Sequence, residues 1–185
     1  MIPEPYATLA RYHHWATRKL LAENVGPMPE PQYRAERGLF FGSIHGTLNH
    51  LLVTDRLWFA RFAEGRSPVV ELAAEVEPDR DALAAQLIAA AAAWSDWLPT
   101  VDAARFAADP AADAAALAGA ASANRLVYTS MQTGREHALP FGPTLAHVFN
   151  HATHHRGQIS AALTGMHRPA PELDLVWMLQ AEAGA

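Results

Sequence analysis

Ten histidines stand in this chain, and six fall in two short stretches: His45 and His50, then His147, His151, His154 and His155. Histidine both titrates near neutrality and ligates transition metals, so its clustering is the first chemical signal. On a helix, His151 and His155 lie one turn apart with Cβ atoms about 5–6 Å from each other, close enough to chelate one ion. At about 100° per residue, both sit on or beside an apolar stripe of Leu145, Val148, Ala152, Ile159 and Leu163. His147 falls at the edge of that stripe, and His154 further round, towards solvent or a neighbouring helix. An earlier helical segment carries the stripe Phe40, Ile44, Leu51, Trp58 and Phe62. His50 borders it, whereas His45 points to the opposite face and reads as a solvated surface residue. His50, His151 and His155 can therefore meet across a helical interior and hold one divalent ion. Three neutral imidazoles leave at least one coordination position for water or substrate, as in a reactive site rather than a closed structural one. His13, His14, His137 and His167 have no partner at ligand spacing.

Composition narrows the chemistry further. The chain has no cysteine, which excludes disulfides, thiolate ligands and a cysteine nucleophile, so any thiol must come from solution. Fourteen basic residues against nineteen acidic give a net charge of -5, with no basic stripe for nucleic-acid phosphates. No apolar run approaches the roughly 20 residues of a membrane span, and the start MIPEPYATLARYHHW lacks a secretory pattern. A cytoplasmic protein is expected, with neither nucleic acid nor membrane as partner. Trp58, Trp94, Trp97 and Trp177 read most simply as core packing.

Positioning those histidines calls for long helices. Apolar residues recur at helical spacing over residues 6–24, ended by Gly26, Pro27 and Pro29. A second helix is predicted from about Phe40 to Phe62, ahead of Gly65 and Pro68. A third spans residues 78–99, between Pro78 and Pro99. The alanine-rich stretch 107–123 reads as a linker with one helical turn. Residues 124–141 contain two short runs around Gln132-Thr133-Gly134, the pattern of a small β-hairpin or an extended crossover. A fourth long helix opens at Pro143-Thr144 and ends near Gly165, and ELDLVWMLQAEA makes a short amphipathic helix at the end. The expected fold is all-α: one domain over residues 1–185, a four-helix bundle with a short C-terminal helix and a small β-hairpin before the fourth helix. A ferritin-like di-iron centre would need Glu-x-x-His pairs on facing helices, and the sequence has none.

The segments TLNHLLVTDRLW (47–58) and HVFNHATHHRGQISAAL (147–163) resemble the DinB family, named for members induced by DNA damage. The family pairs an H-x4-D-x2-W pattern on its second helix with N-H-x3-H-R-G-Q-[IV] on its fourth. YHHWATRKLL (12–21) is similar to its first helix and PELDLVWML (171–179) to its last. The resemblance implies a four-helix bundle, often dimeric, with a divalent ion, usually nickel or zinc. The matching ligands are His50, His151 and His155, the set the helical wheel selects. His154 falls where the family admits other residues such as Tyr. Arg156, Gly157 and Gln158 match as well, and Gln158 lies near the ligand face. The first helix departs from the pattern, with His13 and Thr17 where relatives often carry Asn. Relatives include transferases and isomerases in which the metal holds a low-molecular-weight thiol, such as mycothiol or bacillithiol. A metal-dependent thiol transferase acting on a small molecule is thus implied. Metal-dependent hydrolysis and a non-catalytic metal- or ligand-binding role in the stress response are the alternatives. No catalytic residue is assigned; Asp55, the nearest carboxylate in sequence, points away from His50. Exposed aromatic and alanine-rich faces together with the resemblance suggest a homodimer.

Overall fold

The computed structural model describes residues 1–107 and 124–184, so all but the first residue of the alanine-rich stretch lies outside the described residues. The described chain is mostly helical, with six α-helices and one two-stranded antiparallel sheet. No helix among the described residues is long and apolar enough to cross a membrane.

The first helix, α1 (Glu4–Lys19), starts with Pro5 in its first turn, where a missing N–H costs nothing, and carries Arg18 and Lys19 at its negative end. It does not simply stop near residue 24. Residues Leu20–Val25 widen into a π-helical turn whose five-residue period brings Leu20 and Val25 to one buried face. After the short helix α2 (Glu30–Arg34) comes α3 (Ile44–Ala63). It is capped by Ser43, whose hydroxyl accepts from the Gly46 N–H at 3.0 Å. This start corrects the expectation of a helix from Phe40. Leu39–Gly42 instead form a tight turn with Gly42 at φ 75°, and Phe40 is 84% exposed rather than part of a buried stripe.

Helix α4 (Arg80–Trp97) is capped by Asp79 and gives way to a single 3-10 turn over Leu98–Thr100, at Pro99. The expected hairpin is present: β1 (Arg125–Thr129) pairs antiparallel with β2 (Glu136–Pro140), with Tyr128 opposite His137. Helix α5 (Phe141–Gly165) follows directly, starting two residues ahead of Pro143, and α6 (Leu175–Ala183) ends the described chain.

Helix α1 packs on α4 and α5, and α3 packs on the same two, so each long helix meets two others. Two apolar clusters fill the interior. One gathers Leu20, Tyr33, Ile44, Leu48, Leu52, Leu83, Leu87 and Ile159; the other gathers Ala10, Phe62, Trp94, Phe141, Leu145 and Phe149. Along α1 and α3 the buried polar residues His13 and Asp55 fall between them, and the buried Arg156 of α5 reaches His13 from the side of the first cluster.

Arginine can only donate, so the 3.0 Å contact from Arg156 Nη1 makes His13 Nδ1 the acceptor. His13 Nε2 therefore carries the proton and donates to Asp55 at 2.9 Å, while Trp94 Nε1 donates to the same carboxylate at 3.1 Å. A neutral imidazole thus links a buried cation to a buried anion. Burial pushes the Arg156 pKa down, and the Asp55 charge works against that shift. Replacing Asp55 by Ala would leave the guanidinium uncompensated in the interior and should cost about 3–5 kcal/mol of stability in a urea melt. A loss below about 1 kcal/mol, as at an ordinary surface position, would show that the network carries no structural weight.

Candidate metal centre

The three histidines selected by spacing come together. His50 projects from α3, and His151 and His155 from consecutive turns of α5, with one ligand atom from each inside a 4.8 Å set. The other ring nitrogens decide which atoms are free. His50 Nδ1 lies 2.8 Å from the Leu72 carbonyl, so it donates, and Nε2 keeps a bare lone pair. His155 Nδ1 donates to Gln158 Oε1 at 2.7 Å, leaving its Nε2 bare as well, 3.1 Å from His151 Nε2. His50 Nε2 is buried without any hydrogen-bond partner among the described residues. An orphaned lone pair is costly inside a protein, and its convergence with two more imidazoles fits a borderline divalent ion such as zinc or nickel.

The surroundings hold the rings in place. Phe41 stacks on His50 with centroids 3.8 Å apart and planes at 17°. This depends on Gly46, because a Cβ there would run into the Phe41 carbonyl oxygen. The loop between α3 and α4 is tied to α3 at three points. The Leu72 carbonyl accepts from His50, the Glu77 backbone exchanges hydrogen bonds with the Asn49 amide, and the Glu75 carboxylate accepts from His45 Nε2 at 2.9 Å. His45 also meets the Tyr33 hydroxyl, 2.9 Å from its Nδ1. The reading of His45 as a solvated residue is therefore corrected: it is buried, because α2 and this loop cover the face that a single-helix wheel leaves to solvent.

A model of the DinB family matches residues 3–184. The chain belongs to the DinB family. No curated protein and no solved structure matches it.

Within this DinB protein the other histidines take lesser places. His147 is exposed, with its ring 5.8 Å from His151, and His154 is exposed beside His155. His13 lies in the buried Arg156–His13–Asp55 network, and Asp55 faces that network rather than His50. Gln158 does support a ligand, as its position near the ligand face suggested.

Spacing did not reveal the cleft beside the histidines. It has a volume of about 330 Å³ and is lined by His50, His151, Trp58, Arg61, Tyr128 and Met131, among others. Trp58 is thus a cleft wall as well as a packing residue, and Trp177 is 44% exposed rather than core. Thr54, Leu57, Trp58 and Arg61 share the His50 face of α3, so a wheel could have found them. Tyr128 and Met131 come from the hairpin, a nonlocal contact with no signal in local spacing.

Burial pushes the pKa of both His50 and His151 down from 6.5 to about 4, and moves His155 in the same direction. Between these limits the unfolded chain binds more protons than the folded one, so stability rises with pH. The metal-free protein should hold this stability above about pH 6.5 and lose it as the pH falls towards about 4. Urea midpoints across that range should show the slope, and the His50→Gln/His151→Gln double variant should flatten it. An equally steep profile in the variant would assign the slope to other groups.

Proposed function

We propose that this chain binds one divalent ion, zinc or nickel, through His50, His151 and His155, and uses it in thiol-transfer chemistry on a small molecule. What carries the reading is the convergence of three imidazole nitrogens within 4.8 Å, one of them buried and unpartnered, beside an open cleft. The frame we infer is a four-helix bundle of α1, α3, α4 and α5, working in the cytoplasm. When bound, the ion supplies Lewis acidity that lowers the pKa of a thiol or a water.

The chain's own residues do the rest. Leu72 and Gln158 fix the tautomers of His50 and His155, so that neutral ε-nitrogens face the ion. Leu57, Trp58, Leu72 and Met131 form apolar walls that limit water around the reacting atoms. Asp55 is committed to His13 and Trp94, so it does not serve as a base in the cleft. With no cysteine in the chain, the sulfur nucleophile is a low-molecular-weight thiol from solution. Hydrolysis is the second reading. It rests on His147, which lines the same cleft and is placed to take a proton from water.

Elemental analysis of protein purified without nickel resin should find one ion per chain, and His50→Ala, His151→Ala and His155→Ala should each abolish tight binding. His167→Ala should leave it intact. Cobalt-loaded protein should develop a sulfur-to-metal charge-transfer band with the cognate thiol, and the His155→Ala variant should not. No ion under metal-replete conditions would refute the centre. A silent panel of glutathione, cysteine, bacillithiol and mycothiol would leave the centre standing and move the chemistry to hydrolysis or binding.

We also propose a homodimer, supported by Val176, Trp177 and Leu179, which α6 leaves exposed. Light scattering at micromolar concentration should give twice the chain mass, and a monomer mass would refute it.

A further inference from the structure

Arg61 stands out among the residues that line the cleft. Among the described residues lining it, Arg61 is the only one with a fixed charge, and no aspartate or glutamate faces it there. The side chain is only 5% exposed, yet it makes no ion pair among the described residues. Its guanidinium sits in the angle of a T-shaped ring pair, 4.6 Å from the Trp58 centroid and 4.4 Å from that of Tyr128. Aromatic faces stabilise the charge, but they offer the N–H donors no lone-pair acceptor. One of these donors makes a long contact to the Thr129 carbonyl at 3.4 Å, and Nε is buried without a partner among the described residues. Arg156 is also buried and its Nε is likewise unpartnered among the described residues, but its other nitrogens are engaged: Nη1 reaches His13, Nη2 donates to Thr153, and the Asp55 charge lies nearby. Burial pushes the Arg61 pKa down, and an arriving anion would reverse that shift.

We propose that Arg61 is the anion-recognition residue of the cleft, and that the molecule taken there carries a carboxylate held by this guanidinium. The assignment of the molecule's other end to the histidine centre rests on the metal reading above. A single guanidinium with free edge donors matches one carboxylate in a bidentate pair. A phosphate dianion would want a second cation or a run of backbone N–H groups, and the described cleft residues provide no second fixed positive charge.

The spacing also sets the shape of the molecule. Arg61 is three helical turns beyond His50 on the same face of α3, about 16 Å along the axis. The arginine side chain leans back towards the helix N-terminus and shortens that span. Between the two lie Thr54, Leu57 and Trp58, with Leu72 and Met131 also on the cleft wall. The substrate class is therefore an extended organic acid with an apolar middle, with its reacting end at the histidines and its carboxylate at Arg61.

The test uses ω-mercaptocarboxylic acids of increasing chain length, each paired with the ω-mercaptoalcohol of equal length, titrated into cobalt-loaded protein. At the best length the acid should bind at least about tenfold tighter than the alcohol, the effect of one charged hydrogen-bonded contact. Arg61→Gln should abolish that preference while keeping one ion per chain, and Arg61→Lys should restore part of it. Equal binding of acid and alcohol to the unmodified protein at every length overturns the proposal and leaves the metal centre standing. If no ion binds, the metal reading fails by itself. Calorimetry of simple alkanoates against alkanols on the metal-free protein then decides the role of Arg61. A preference for the acid that Arg61→Gln removes supports it, and no preference overturns it. Should Arg61→Gln fail to fold, the acid–alcohol comparison on the unmodified protein and the Arg61→Lys variant decide between the same two outcomes.

Discussion

A guanidinium buried between helices has to find its compensation inside the protein, and here it does so through a neutral imidazole. Arg156 on α5 donates to His13 on α1, His13 donates to Asp55 on α3, and Trp94 on α4 donates to the same carboxylate. All four long helices thus meet in one buried polar network set among the apolar clusters. Apolar packing tolerates small rotations and slides, whereas hydrogen-bond distances near 3 Å do not. The network therefore fixes the rotation of α5 about its axis. With Arg156 turned towards α1, the adjacent His155, and His151 one turn earlier, are carried round towards α3 and His50. The geometry of the candidate centre follows from a network that contains none of its ligands.

Much of this was legible in the sequence because helical periodicity is local. The stripe Leu145, Val148, Ala152, Ile159 and Leu163 orients α5, and every member of it is buried. The hairpin was legible too, since its turn residues and flanking runs are contiguous. The misreadings share one physical cause, which is contact from elements distant in sequence or at helix ends. A wheel of α3 places His45 away from the apolar stripe, but Tyr33 and the loop carrying Glu75 close over that face. Phe40 has the right spacing to extend α3, but the Ser43 cap and the left-handed Gly42 end the helix before it. His13 has no ligand partner at helical spacing, because its partners lie 42 and 143 residues away.

The sequence pattern around the centre can also be read as support for its tautomers. A histidine ligates through one nitrogen only if the other is committed elsewhere. Gln158, three residues after His155, does this within one helix turn, so part of the second layer is encoded locally. His50 depends instead on a backbone carbonyl from a loop, and that loop is held by Asn49 and His45, its neighbours on α3. Keeping the ring nitrogen's partner there means keeping a loop path rather than a side chain, which is why no motif announces it.

The electrostatics of the cleft bear on which nucleophile could work there. The described lining residues contribute imidazoles, aromatic rings, aliphatic side chains, a few hydroxyl and amide groups and one guanidinium, and none of them is a carboxylate that would offset a metal's charge. A divalent ion added to such a surface makes a strongly positive site, and that favours anionic ligands over neutral ones. Free thiols titrate near pH 8.5, so a modest downward shift makes the thiolate dominant at neutrality. Water starts much further from its ionised form and gains more from a general base, for which the described cleft lining offers His147 and no carboxylate, Asp55 being bound to His13 and Trp94. On the proposed reading, the same positive field would draw in both a thiolate and the carboxylate end of a substrate. A thiol entering as its anion asks least of the side chains present, and it supplies the one nucleophilic element, sulfur of a cysteine, that this sequence lacks altogether.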